Sequence, residues 1–134
     1  KMYFVSTGTM DYRHHHAGLC TSINEGDWAC EPALWLQWSH CGRLTARTSC
    51  EIIQINVAVF REIASKKELA HAYLCTYARL FREFICREDT LWYTDIWMDV
   101  PLLEDVLNEC EEAHPSVGTS MARRLSGVAA GVSK

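Results

Sequence analysis

Gly26–Thr48 reads GDWACEPALWLQWSHCGRLTART. Asn24-Glu25-Gly26-Asp27 opens it with a strong turn cluster. Pro32 suits a first helical position, where the missing N–H has no helical partner. A short tryptophan-rich segment follows, and then the period changes. Leu44, Ala46, Thr48 and Cys50 fall on one side of an alternation, and Arg43, Thr45, Arg47 and Ser49 on the other. That period of two predicts a half-buried antiparallel strand over Arg43–Ile55, with Ile52, Ile53 and Ile55 as its more buried end.

Working outward, Lys1–Arg13 predicts two short strands around a Thr7-Gly8 turn, and Leu19–Ile23 a third. His14–Gly18 between them reads as a solvated loop. Its three consecutive histidines cannot converge on one ion from a strand, so no metal site is expected. Downstream, Asn56 caps a short helix, VAVFREIA, and Ser65-Lys66-Lys67-Glu68 matches a capping box. The helix it predicts runs from Lys66 to about Arg87. Its apolar face is Leu69, Tyr73, Tyr77, Leu80, Phe81, Phe84 and Ile85, and Arg79–Glu83 and Glu83–Arg87 pair on its wet side. Leu91–Met98, LWYTDIWM, is an apolar run before Pro101 and a third helix over Leu102–Ala113. Residues 115–134 are dominated by small and polar types and read as a disordered tail. Strands first and helices second make an α+β chain.

The chain has 134 residues, enough for one domain with a real core. With 13 basic and 17 acidic residues its formal charge is −4, which argues against a nucleic-acid partner held by phosphate contacts. No apolar run approaches the roughly 18–20 residues needed to span a bilayer. Seven cysteines are scattered without a C-x-x-C pair, the pattern of reduced thiols rather than of a disulfide framework. The opening in an apolar strand-like run without a methionine is read as a fragment of a longer protein. No nucleophile-plus-base arrangement accompanies Asp27 and Glu31, so no enzyme activity is expected.

The order turn, G-D-x-x-x-E-x-A-L, strand ending in T-x-C-E-I-I-x-I, then helices, resembles a cyclic nucleotide-binding domain. The likeness is nearest to the cytosolic C-terminal domains of cyclic nucleotide-gated and voltage-gated cation channels, potassium channels among them. Trp28–Trp35 and His40–Leu44 match the phosphate-binding cassette, and Glu31 stands nineteen residues before Cys50, the spacing of channel members. The resemblance implies an antiparallel β-roll (jelly-roll-like) with C-terminal helices over residues 1–87, its first two strands lying upstream of Lys1. It leaves 88–114 as an extension carrying a short helix. It implies a cyclic AMP or cyclic GMP ligand and no other cofactor, held at Cys30, Glu31, Ala33, His40, Cys41 and Arg43, with Glu31 on the ribose hydroxyl.

This cassette departs from the family's. Cys30 stands for a glycine, Pro32 has no N–H to donate, and His40 replaces the arginine that grips the phosphate. Losing that charge-assisted bond costs on the order of 1.5–3 kcal/mol, so nucleotide binding is weakened or lost. Some voltage-gated potassium channels carry nucleotide-independent domains whose pocket is filled by a segment after the last helix, and Leu91–Met98 stands in a comparable place. The resemblance further implies a regulatory role at the cytoplasmic face of a membrane, partnered with the transmembrane part of the same polypeptide in a homotetramer. The alternative is a non-channel module related to kinase regulatory subunits and acting through protein contacts. Arg123-Arg124-Leu125-Ser126 matches R-R-x-S and makes Ser126 a candidate phosphorylation site.

Overall fold

The computed structural model describes residues 1–87, 93–97 and 100–117. Six strands precede most of the helical part, as the α+β reading requires: β1 (Met2–Thr7), β2 (Met10–His14), β3 (Cys20–Ile23), β4 (Trp28–Ala29), β5 (Gly42–Ala46) and β6 (Glu51–Ile55). The helices are α1 (Pro32–Trp35), α2 (Val57–Ser65), α3 (Glu68–Arg87) and α4 (Val100–Ala113), with one further helical turn over 115–117. The strands form two three-stranded antiparallel sheets, ordered β4-β1-β6 and β3-β2-β5. β1 and β2 therefore lie in different sheets, joined by the tight turn at Gly8.

The alternation over Arg43–Ile55 is broken at its middle. Residues 47–50 turn a corner, so that β5 pairs with β2 and β6 pairs with β1. A period of two says which side chains share a face and is silent on which sheet they join. Ile52 and Ile53 are correspondingly exposed, contrary to the expected buried run.

Two apolar clusters form the interior. Val5, Met10, Tyr12 and Ile23 fill the space between the sheets. Tyr73, Tyr77, Leu80, Phe81, Phe84 and Ile85 of α3 pack with Leu103, Val106 and Cys110 of α4 in the second. The expected face of α3 is thus buried except for Leu69, which lies outside the packed stripe and is exposed. Segment 93–97 connects the two clusters, with Ile96 against the first and Trp97 inside the second.

Helix ends explain several boundaries. Asn56 accepts from the N–H groups of Ala58 and Val59, the cap expected for α2. The capping box does not form, because the Ser65 hydroxyl donates to the carbonyl of Glu62 and closes α2 instead. Arg61 of α2 donates to the carbonyls of Leu34, Ala33 and Leu36, supplying partners to the C-terminal end of α1. The Arg79–Glu83 pair is present at 2.9 Å. The Arg87 side chain and residues 118–134, including Ser126, lie outside the described residues. Within the expected tail, 115–117 are helical and Val117 is buried.

Gly8 has a φ of 88°, and a Cβ there would stand 2.3 Å from the Ser49 carbonyl oxygen. Gly26 has the same φ with open space around it. Gly8→Ala is expected to lower unfolding free energy by about 3 kcal/mol or more, and Gly26→Ala by about 1–2 kcal/mol. Urea unfolding of both variants checks this; equal losses would mean that the β1–β2 corner is not tightly packed.

Candidate functional site

The cassette stretch folds as a turn, a one-turn helix and a loop leading into β5. β4 is followed by Cys30, whose φ of 68° makes it the one non-glycine residue in the left-handed region among the described residues. The chain needs this conformation to turn from β4 into α1, and it is one that glycine adopts without cost. The Cys30 side chain is buried, and its N–H donates to the carbonyl of Asp95 at 2.7 Å.

Asp95 is the centre of the site. It is 1% exposed, in a bend eight residues beyond the end of α3. Its Oδ2 accepts from the N–H groups of Cys41 (2.7 Å) and Gly42 (2.9 Å) and from the Tyr12 hydroxyl (3.1 Å). Its Oδ1 accepts from Trp38 Nε1 at 2.7 Å and lies 3.5 Å from His40 Nδ1. A buried carboxylate is tolerable only when its lone pairs are occupied in this way. Tyr12 can reach it because position 42 is glycine: a Cβ there would fall 2.4 Å from the Tyr12 ring.

A second anchor holds the same segment. His14 is buried at the end of β2, not solvated as expected for the histidine run, while His15 and His16 are exposed. Its Nδ1 accepts from the N–H groups of His16 and Ala17, which places the proton on Nε2 and aims it at the Tyr93 carbonyl, 2.8 Å away. The segment 93–97 is thus a strap tied at Tyr93, at Asp95 and, through Trp97 stacked edge-on against Phe84, at the helices.

Beside Asp95 lies a cavity of about 330 Å³ lined by Tyr3, Met10, Tyr12, Cys30, His40 and Leu44, among others. Of the residues predicted to bind, Cys30, His40 and Cys41 meet here. Ala33 is buried nearby, and its N–H is taken by the Cys30 carbonyl at 3.1 Å. Arg43 is exposed, one step out of phase with Gly42 and Leu44, which line the cavity, so it points away from the cavity. Trp38 is a donor to Asp95 rather than core filling alone.

Glu31 faces the other way. Its buried carboxylate accepts from Trp28 Nε1 (2.8 Å), Trp35 Nε1 (3.2 Å) and the Tyr77 hydroxyl (2.8 Å). It borders a larger apolar hollow of about 660 Å³ between the β4-β1-β6 sheet and helices α2, α3 and α4, lined by Phe4, Ile55, Phe60, Leu103 and Leu107 among others. Through these three donors Glu31 ties α1 to α3. Burial, and then the Glu31 charge, push the Tyr77 hydroxyl upward in pKa.

Sequence reasoning missed Asp95 as an individual residue, although Leu91–Met98 was singled out as a pocket-filling run; 91, 92 and 98 lie outside the described residues. The available signal was a lone acid among tryptophans, tyrosine and isoleucine, where a charge is retained only if something holds it. Among the described residues no helix is long and apolar enough to cross a membrane. No family model, curated protein or solved structure matches the chain.

Two measurements follow from these carboxylates and their neighbours. Burial and then the Asp95 charge push the Cys30 thiol from 9.0 up to about 12. The folded chain therefore holds that proton more tightly than the unfolded one, so stability is intact below pH 9 and falls as pH rises toward 12. Cys30→Ala is expected to flatten part of this alkaline loss in urea unfolding; an unchanged slope would assign it to Tyr12, Tyr73, Tyr77, Cys41 and Cys110, whose pKa values burial also raises.

Glu31→Gln leaves at least one half-buried indole without an acceptor and should cost about 1–3 kcal/mol, against about 1 kcal/mol for Tyr77→Phe. Denaturation midpoints of the two variants, compared at constant m, decide it; a neutral Glu31→Gln would mean that the three donors have water to turn to.

Proposed function

We propose that this chain is a regulatory domain of the cyclic nucleotide-binding type, a β-roll with C-terminal helices in a cation channel. In this reading the 93–97 strap takes the place of the nucleotide. The single observation that carries it is the Asp95 carboxylate. It is an anion held by the backbone N–H groups of Cys41 and Gly42 beside His40, with the Cys30 N–H on its own carbonyl. The resemblance sets the cyclic phosphate at the N–H groups that open the short helix and at position 40, and this carboxylate stands beside His40. Cys30 at positive φ agrees with the alignment of this position to a glycine.

A strap covalently joined to the domain competes at an effective concentration on the order of millimolar, far above that of a free second messenger. Cyclic AMP or cyclic GMP would also meet a site in which the anion-binding N–H groups are already taken. Control then passes through the strap: whatever releases it shifts α3 and α4, because Trp97 is part of their core. The exposed apolar side chains Val59 and Ile63 of α2 and Leu69 of α3 are where those helices would meet the rest of the polypeptide. That polypeptide would supply the transmembrane part, and the tetramer with it.

The test is calorimetric titration of cyclic AMP and cyclic GMP into the unmodified chain, into Asp95→Ala and into Asp95→Ala with His40→Arg, alongside amide exchange. The unmodified chain is expected to give no binding, and the double variant to bind. Asp95→Ala, which unpairs several donors and costs about 3–5 kcal/mol locally, should deprotect the amides of Cys30, Cys41, Gly42 and 93–97 while the sheet ladders stay protected. Micromolar binding to the unmodified chain with the strap amides still protected would overturn the reading.

A further inference from the structure

We propose that Cys30, His40 and Asp95 form a binding site for a borderline divalent cation, zinc foremost, that locks the strap onto the sheets. The Cys30 Sγ, one ring nitrogen of His40 and one carboxylate oxygen of Asp95 all lie within 4.8 Å of one another. They come from three separate segments: the turn after β4, the loop before β5, and the strap. One sulfur, one imidazole and one carboxylate are the donor types that zinc takes, whereas magnesium and calcium prefer oxygen alone.

The geometry around Asp95 favours this over a saturated carboxylate. Oδ2 is filled by Tyr12, Cys41 and Gly42. Oδ1 has one full hydrogen bond, from Trp38, and a contact of 3.5 Å with His40 Nδ1. That contact is long for a hydrogen bond. It matches the span between two ligands of one tetrahedral zinc, roughly 3.3–3.6 Å from ordinary zinc–ligand lengths. The cavity of about 330 Å³ that Cys30, His40 and Asp95 all line leaves room for water as a fourth ligand.

Charge agrees with the geometry. The Cys30 sulfur, the His40 ring and the buried Asp95 carboxylate lie together, so a divalent ion there would meet two groups that can carry negative charge. On binding, Sγ bonds to the metal and its proton leaves to solvent, so a thiolate, a carboxylate, a neutral imidazole and the dication sum to zero. A neutral complex avoids the cost of burying net charge. The site uses the strap's position and does not depend on any nucleotide-related role for it.

The test is titration of cobalt(II) alone into the reduced full chain carrying Cys75→Ser. That substitution removes the exposed His71–Cys75 pair on α3, whose sulfur and ring nitrogens lie 3.7–3.9 Å apart. One equivalent is expected, with a near-ultraviolet sulfur-to-cobalt band, visible absorption of a tetrahedral ion, proton release, and displacement by zinc. Cys30→Ser should abolish the sulfur band, and His40→Ala the tetrahedral spectrum, while Cys41→Ser retains both. His40 is 44% exposed, so its substitution does not threaten the fold, and circular dichroism of each variant verifies this. Zinc should slow amide exchange at 93–97 in the parent chain and leave it unchanged in His40→Ala. Absence of the sulfur band in the folded parent, or its survival in Cys30→Ser, would overturn the site.

Discussion

A carboxylate buried to 1% exposure is the constraint around which this chain is arranged. Left unpaired, such a group would cost several kcal/mol, comparable with the whole stability of a small domain. Asp95 avoids that cost only if Tyr12 of β2 and residues 38–42 present their donors to its carboxylate together, while the Cys30 N–H serves its main-chain carbonyl. Tyr12 does so from β2, at the position whose register partner on β5 is Leu44. The sheet pairing that fixes Tyr12 therefore also fixes the strap, and a displaced strap would leave buried N–H and O–H groups unsatisfied on both sheets' side. Docking of residues 93–97 therefore depends on the N-terminal strands being paired first.

Glu31 does for the helices what Asp95 does for the strap. Its three donors, two indoles and a phenol, come from β4, α1 and α3, so the short cassette helix is held by side chains more than by its own single turn. Arg61 completes the arrangement by serving the carbonyl end of α1 from α2. The two carboxylates stand at separate hollows, a small one beside the sheets and a broad apolar one beside the helices. Such a division permits a change in the strap to be felt at α3 and α4 without dismantling the sheets, because Trp97 belongs to the helical core while Ile96 belongs to the other.

Much of the local structure was legible in the sequence because it depends on nearest neighbours. The Asn56 cap, the turn at Asn24–Asp27 and the amphipathic period of α3 each require only residues within a few positions. What escaped was set by distant partners. Arg43–Ile55 alternates without interruption through a corner, and only the competing claims of β2 and β1 divide it. Ser65 carries the right residue for a cap but finds the Glu62 carbonyl first. His14 looks like one of three solvated histidines until residue 93 supplies an acceptor 79 positions away. Glu31 fits a ribose-binding pattern by spacing, yet three aromatic donors that no spacing rule counts had already occupied it.

The groups around Asp95 make sense together. Four neutral donors already hydrogen-bond its carboxylate, and His40, 44% exposed at the mouth, adds a single ring nitrogen 3.5 Å from Oδ1. A glycine at position 30 would relieve the strain of a φ of 68° but would remove the sulfur that faces the carboxylate. Retaining a side chain there costs roughly 1–2 kcal/mol of backbone energy. Strain of that size persists only where the surroundings over-determine it, and here they do: the N–H of the same residue is committed to the Asp95 carbonyl at 2.7 Å. The backbone of Cys30, the ring nitrogen of His40 and the buried acid eight residues past α3 are thus parts of one site, in which the chain carries its own anion and the groups around it are fitted to keep it.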